Sequence, residues 1–246
     1  MEIIESLENT KIKNIGKLHQ KKYRDETNTY IVEGDHLVNE AYKNGALLEV
    51  YALPTININM SVKVNYVTNN VMSKISTMES PSNMIGIVKK YEPKTYGKRL
   101  LLLDNIQDPG NLGTIIRSAC AFNIDTIILG NTCVDLYNDK AIRATEGMLF
   151  NIDIMRLDLN VIINELKANN YKIMGTNVIN GIPLNKVEFN DKFAIVIGSE
   201  GKGISPDIQE LISDNIYIPI NKKCESLNAG VAASIIMYEI SKVDYE

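Results

Sequence analysis

The sequence predicts an α/β protein whose C-terminal part is a parallel sheet covered on both faces, preceded by a smaller α/β unit. Three observations carry this. From Arg99 onward the apolar residues come in near-continuous runs, as strands buried on both faces require. Helix-like stretches fall between those runs, and such alternation indicates a parallel sheet with helices on both sides. Tyr91 to Lys98, with Pro93, Gly97 and no apolar period, separates this part from a more mixed N-terminal pattern. The expected organisation is a first domain at 1–90, a linker at 91–98 and a second domain at 99–246.

In the first domain Ile12, Ile15, Gly16, Leu18 and Lys22 suggest one helix, Tyr30 to Val32 a short strand, and Asp35 to Asn44 a second helix closed by Gly45. Val50 to Leu53 and Val62 to Val67 read as strands, Asn69 to Thr77 as a helix and Gly86 to Lys89 as a further strand. In the second domain the apolar runs are Leu100 to Leu103, Thr126 to Leu129, Lys172 to Gly175, Phe193 to Ile197 and Ile216 to Ile220. The helices between them are Leu112 to Phe122, Asp139 to Met148, Leu159 to Asn169, Pro206 to Ser213 and Asn228 to Lys242. In such sheets ligands bind at the carboxyl ends of strands.

With 246 residues and 45% hydrophobic content, the chain can bury a core in either domain. No window approaches a membrane span, and Met1, Glu2, Ile3, Ile4, Glu5 lack the basic-then-apolar layout of a secretory signal, so a cytoplasmic, membrane-free protein is expected. Cys120, Cys133 and Cys224 are far apart and only His19 and His36 accompany them, which gives no zinc spacing; small buried thiols and no metal are expected. A net charge of −4 argues against non-specific coating of nucleic acid, whose affinity comes from phosphate neutralisation. Charge is nevertheless uneven: Lys11, Lys13, Lys17, Lys21, Lys22 and Arg24 form a basic stretch, equally readable as a solvated helix face or as a phosphate-binding one.

Three loops at strand ends hold the unusual residues. The first runs from Asp104 through Asn105, Asp108, Pro109, Gly110, Asn111 and Gly113 into a helix carrying Arg117. Leu112, Ile115, Ile116 and Ala119 make the apolar stripe of that helix and Arg117 points away from it, with Gly113 leaving room beside the guanidinium. A surface salt bridge would use Arg117 too, and turn and cap chemistry would use Asp108 to Asn111. The second loop, Gly198, Ser199, Glu200, Gly201, Lys202, Gly203, allows close backbone approach to a ligand but matches neither a phosphate loop nor a dinucleotide fingerprint. The third joins Ile218, Pro219 and Ile220 to the last helix through Glu225, Ser226, Leu227 and Asn228, where Ser226 or Asn228 could cap.

Together and in this order the loops resemble the SpoU/TrmH family of RNA ribose 2′-O-methyltransferases, in the SPOUT superfamily. The first family motif appears as Asn105, Asp108, Pro109, Asn111, Gly113 and Arg117, and the second as Gly198, Glu200, Gly201 and Gly203. The third appears as Ile218, Pro219, Ser226, Leu227, Asn228, Ala232 and Ala233, with Ala229, Gly230, Val231 where many members have Val-Ser-Val. Ala141 to Gly147 looks like the segment after the family's second strand, and Lys11 to Arg24 followed by Tyr30 to Gly34 looks like its ribosomal-protein-like substrate-binding domain.

The resemblance implies a SPOUT domain with a deep trefoil knot, S-adenosylmethionine as cofactor, RNA as substrate and a homodimer. It implies methyl transfer to a ribose 2′-hydroxyl, with 23S ribosomal RNA favoured over tRNA because a separate N-terminal domain is present. It assigns catalytic roles to Arg117, Asn111, Glu200, Ser226 and Asn228 and cofactor contacts to Gly198, Ile218 and Leu227. Lys11, Lys13, Lys21, Lys22, Arg24 and Arg143 become candidate RNA contacts. The alternative of a different class is a catalytically silent RNA-binding ribosome-assembly factor, whose expected mark is loss of Arg117, Glu200 or Asn228; all three are present.

Overall fold

The computed structural model describes residues 2–177 and 181–242. The chain forms two compact units, one comprising the residues up to Tyr91 together with Asp135–Phe150, the other Glu92–Val134 together with the residues from Asn151 onward.

The first unit is a five-stranded mixed sheet in the order β1-β4-β3-β5-β2, from β1 (Ile3–Ile4), β2 (Thr29–Glu33), β3 (Leu47–Ala52), β4 (Lys63–Val67) and β5 (Met84–Lys89). Alternation along the strands feeds two cores. Tyr30, Val32, Val50 and Val88 pack with Leu37, Val38 and Ala41 of α3 (Asp35–Lys43). Tyr51, Ile85 and Ile87 pack with Ile12 and Ile15 of α1 (Thr10–Lys17) and with Val71, Met72 and Ile75 of α4 (Asn69–Ile75).

The single first helix read from the sequence is two. After α1 the chain turns at Leu18, Gln20 is extended (φ −98°, ψ 133°), and α2 (Lys21–Thr27) starts anew. The division of the chain also differs. Asp135–Phe150, from the middle of the expected second domain, belongs to the first unit because its α6 (Asp139–Ala144) places Ile142 in the core around Tyr30 and Val38. Tyr137, Leu149 and Phe150 pack against the same core. α6 stops well before Met148 because Glu146 and Gly147 take left-handed conformations (φ 49° and 79°).

The second unit is a seven-stranded sheet in the order β10-β12-β9-β11-β6-β7-β8, every pair parallel. Its strands are β6 (Arg99–Leu103), β7 (Thr126–Leu129), β8 (Asp153–Arg156), β9 (Lys172–Thr176), β10 (Ile182–Pro183), β11 (Phe193–Ile197) and β12 (Asp214–Tyr217). Leu100, Leu102, Ile128, Ala194 and Val196 face α7 (Leu159–Ala168) and α8 (Pro206–Glu210), where Ile162, Ile163, Leu166 and Ile208 close the core. Their neighbours Leu101, Leu103, Ile195 and Ile197 are equally buried and, by the period of two, face the other way. α5 (Pro109–Ala121) and α9 (Ala229–Ser241) pack on each other, joined by Ser118 Oγ and Ser234 Oγ at 2.7 Å. The stripe Leu112, Ile115, Ile116 and Ala119 is fully buried, and each large member contributes roughly 1.5–3 kcal/mol.

β1, β8 and β10 have no counterpart in the sequence reading. The last apolar run is strand only to Tyr217; Pro219 has no amide hydrogen to offer a ladder, and Ile218 and Ile220 leave the sheet to line a cavity. The cysteines are not uniformly buried. Burial pushes the Cys120 thiol up to about 11 and raises that of Cys133, whereas Cys224 is exposed.

Candidate active site

The parallel register puts the carboxyl ends of β6, β11 and β12 at one edge of the second sheet, so the three unusual loops converge there. Each is built by local chemistry. Asp108 caps α5 by accepting from the Asn111 amide at 2.8 Å, with Pro109 in the first turn where its missing N–H costs nothing. Ser199 and Gly203 exchange backbone bonds of 3.0 and 2.8 Å, closing the second loop into a tight turn that needs Gly203 at φ 67°. Asn228 caps α9, its Oδ1 accepting from the Val231 amide at 3.2 Å.

One carboxylate oxygen ties the loops together. Glu200 Oε1 accepts from Asn111 Nδ2 at 2.8 Å, from Asn228 Nδ2 at 2.5 Å and from the Ala229 amide at 3.0 Å. Asn228 Nδ2 also donates to Asn111 Oδ1 at 2.9 Å. Glu200 thus sits at the amino end of the 13-residue α9, where negative charge is favoured, and fixes two amides from separate loops. Asn111, Glu200 and Asn228, singled out from the sequence, form one hydrogen-bonded cluster.

Beside it lies a cavity of about 530 Å³, within the range that encloses small organic ligands. Gly198, Ile218 and Leu227 all line it, as do Ser226, Ile204, Ile216 and Ile236. Its walls are mainly apolar, with polar groups from Thr176, Asn177, Gln209 and Glu225. Sequence reasoning missed these four, although applying the strand-end rule to β9 would have found Thr176 and Asn177. Ser226 lies on this wall rather than capping α9, and its carbonyl accepts from Cys224 Sγ at 3.1 Å.

The second loop lies so close to itself that a Cβ on Gly198 would fall 2.1 Å from Gly203 C and 2.3 Å from Ile204 N, both backbone atoms. Gly198→Ala must open the turn that forms this wall. We expect a loss of roughly 1–3 kcal/mol in stability, as for overpacking, and at least tenfold weaker ligand binding in the cavity, checked by thermal unfolding and titration calorimetry.

Arg117 stands apart. It is exposed on α5 and, among the described residues, its guanidinium has no hydrogen-bond or ion-pair partner and is not part of the cavity wall. Gly113, four residues before it, is buried.

The basic residues lie in the first unit and divide by burial. Lys11 is exposed; Lys13, Lys21 and Lys22 are exposed beside Glu8, Asp25 and Glu26, pairs that contribute little and leave the cations accessible. Arg24 is buried: Nη1 donates to the Leu18 and His19 carbonyls, both at 2.8 Å, and Nη2 pairs with Asp135 at 2.6 Å. It clasps the α1–α2 turn, which corrects its reading as an RNA contact. Arg143 is half-buried, bonded to Thr77 Oγ1 at 3.1 Å and to Asp139 at 3.1 Å. Among the described residues no group of three His, Cys, Asp or Glu could hold a metal, and no helix is long and apolar enough to cross a membrane.

Comparison with known proteins places both parts of the chain among described families. Residues 98–238 match the model of the SpoU rRNA methylase family, and residues 9–86 match the MRM3-like substrate-binding domain. The chain is 36% identical to the 23S rRNA (guanosine(2553)-2′-O)-methyltransferase RlmP of Bacillus subtilis, across 98% of this chain and 99% of that one. An AdoMet-bound rRNA methyltransferase from Sinorhizobium meliloti superposes with a TM-score of 0.87 at 27% identity, covering 98% of both chains. The fold is shared as well by the SpoU methyltransferase AviRb of Streptomyces viridochromogenes, with a TM-score of 0.86 at 21% identity over 97% of this chain and 99% of that one.

Proposed function

The chain belongs to the SpoU rRNA methylase family, and from that premise we propose that it transfers a methyl group from S-adenosylmethionine to the ribose 2′-hydroxyl of a guanosine in 23S ribosomal RNA, in the cytoplasm. The observation that carries the reading is the Asn111–Glu200–Asn228 cluster set against an apolar cavity at the carboxyl edge of a parallel sheet. Guanosine in 23S RNA is favoured by the relative matched over 99% of its length. We assign RNA docking to the first unit, through Lys11, Lys13, Lys21, Lys22 and the half-buried Arg143, and the chemistry to the second unit.

The cavity residues fit the cofactor. Apolar walls from Ile218, Leu227 and Ile236 suit a flat base, and Gly198 lets backbone groups approach it where a side chain could not stand. Such a wall requires no acidic ribose clamp, and the family's knotted threading would hold its loops together. S-adenosylmethionine supplies an electrophilic methyl group on a sulfonium.

The protein's own residues align the hydroxyl and manage its charge. Transfer of that methyl would leave a proton and developing negative charge at the ribose oxygen for these residues to manage. Arg117 is not suited to take that proton, because a guanidinium offers donors and no acceptor. It holds the neighbouring phosphate and stabilises the developing alkoxide, while water or a phosphate oxygen accepts the proton. Asn111 and Glu200 orient the ribose, and Asn228 keeps Glu200 in place.

A homodimer completes the site. Val231, Ile235 and Tyr238 leave an exposed apolar stripe on α9, beside the cavity residues Ala232 and Ile236 and packed next to the helix that carries Arg117.

The test is transfer of radiolabelled methyl from S-adenosylmethionine to total RNA from a strain lacking the protein, with nuclease mapping of the product. Label in an alkali-resistant dinucleotide of 23S RNA is the expected result. Label in tRNA would reassign the substrate, and cofactor binding without label in either RNA would favour a ribosome-assembly factor.

A further inference from the structure

Asp104 is a residue of the first loop that no role above absorbs. It follows β6 directly, is 5% exposed, and forms no ion pair among the described residues. A buried carboxylate without a cation is costly unless hydrogen bonds hold it. Its own amide donates to the Ile197 carbonyl at 2.9 Å, continuing the β6–β11 ladder by one bond. Its Oδ2 accepts from the Ser205 amide at 2.6 Å, a short charge-assisted bond.

Those two bonds bracket the second loop. The chain leaves β11 at Ile197, runs through Gly198, Glu200 and Gly203, and returns at Ser205, so Asp104 holds both the departing strand and the returning end. Between these points lie Glu200, which organises Asn111 and Asn228, and Gly198 and Ile204, which wall the cavity. From this arrangement we infer that Asp104 is a positioning residue: it sets the placement of Glu200 and of the cavity wall through the Ser205 amide, without itself touching substrate. The inference rests on the proposed methyl transfer for its catalytic part and on loop geometry alone for the rest.

The required property is an acceptor at Oδ2, which Asp104→Asn retains and Asp104→Ala removes. With S-adenosylmethionine as probe, Asp104→Ala should raise Kd about tenfold and lower kcat about tenfold with the KM for RNA unchanged, the equivalent of one hydrogen bond to a charged group. Asp104→Asn should recover most of both. In a Glu200→Ala background, adding Asp104→Ala should cost little further kcat, because the two act in series. Amide hydrogen exchange at residues 199–205 should quicken in Asp104→Ala and not in Asp104→Asn. Equal loss in both variants, additive loss with Glu200→Ala, or unchanged exchange in Asp104→Ala would overturn the inference. If wild-type protein methylates no RNA, the function fails, while the exchange comparison still decides the role of Asp104.

Discussion

Replacing Arg117 with alanine is expected to slow methyl transfer by roughly 10²–10³-fold, the usual cost of removing one donor aimed at developing negative charge. The fold should be indifferent to it. Arg117 is exposed and, among the described residues, makes no hydrogen bond or ion pair, so the substitution removes no internal contact, and Tm should stay close to wild type. Affinity for S-adenosylmethionine should also hold, since Arg117 is not part of the cavity wall. Arg117→Lys should recover little, because an ammonium offers a point charge where a phosphate and an alkoxide call for a planar fork. Single-turnover rates measured beside cofactor and RNA binding separate these effects. Full turnover in Arg117→Ala with unchanged RNA binding would remove Arg117 from the mechanism.

The same residues show what the sequence could reveal. The second sheet was readable because its strands are buried on both faces: Leu100 to Leu103, Thr126 to Leu129 and Phe193 to Ile197 are near-continuous apolar runs, and the structure places strands there. β8 and β10 escaped because edge strands need not be apolar on both faces, and Asp153 and Arg156 end β8 with charge. The return of Asp135–Phe150 to the first unit was hidden for a different reason. Its apolar residues looked like any helix stripe, and period says nothing about which sheet a stripe covers.

At the site, residue types located the loops, while their joining stayed out of sight. Asn111, Glu200 and Asn228 are 89 and 28 residues apart in the chain, and nothing in local spacing says that one carboxylate oxygen binds both amides. Arg24 failed in the opposite direction. Its neighbours in sequence are solvated lysines, but the turn between α1 and α2 carries it inward to the Leu18 and His19 carbonyls and to Asp135. Charge read along a chain cannot distinguish a surface cation from one that staples a turn.

Charging the exposed stripe of α9 should abolish activity without touching the site. Val231 and Ile235 are 46% and 37% exposed, one helical turn apart, with Tyr238 at 51% continuing the line and its ring against Phe122. Isolated exposed apolar residues are ordinary, but three in line on a helix with mean composition as apolar as Ala229–Ser241 mark a face built to be covered. In the homodimer proposed above, a second copy would cover it. Arg117 is carried on the helix packed against α9 yet is absent from its own cavity wall, as expected if it serves the cavity of a partner. Val231→Asp combined with Ile235→Asp should convert a dimer into monomers at micromolar concentration and cut turnover at least 100-fold, because like charges would then face each other across a symmetric interface. Light scattering reads the first effect and methyl transfer the second. Mixing Arg117→Ala subunits with cavity-defective Gly198→Ala subunits supplies the complementary case: a heterodimer in which an intact arginine faces an intact cavity should regain activity that neither variant has alone. Monomeric double-aspartate protein with full turnover, or no recovery in verified heterodimers, would place Arg117 and its cavity within one chain instead.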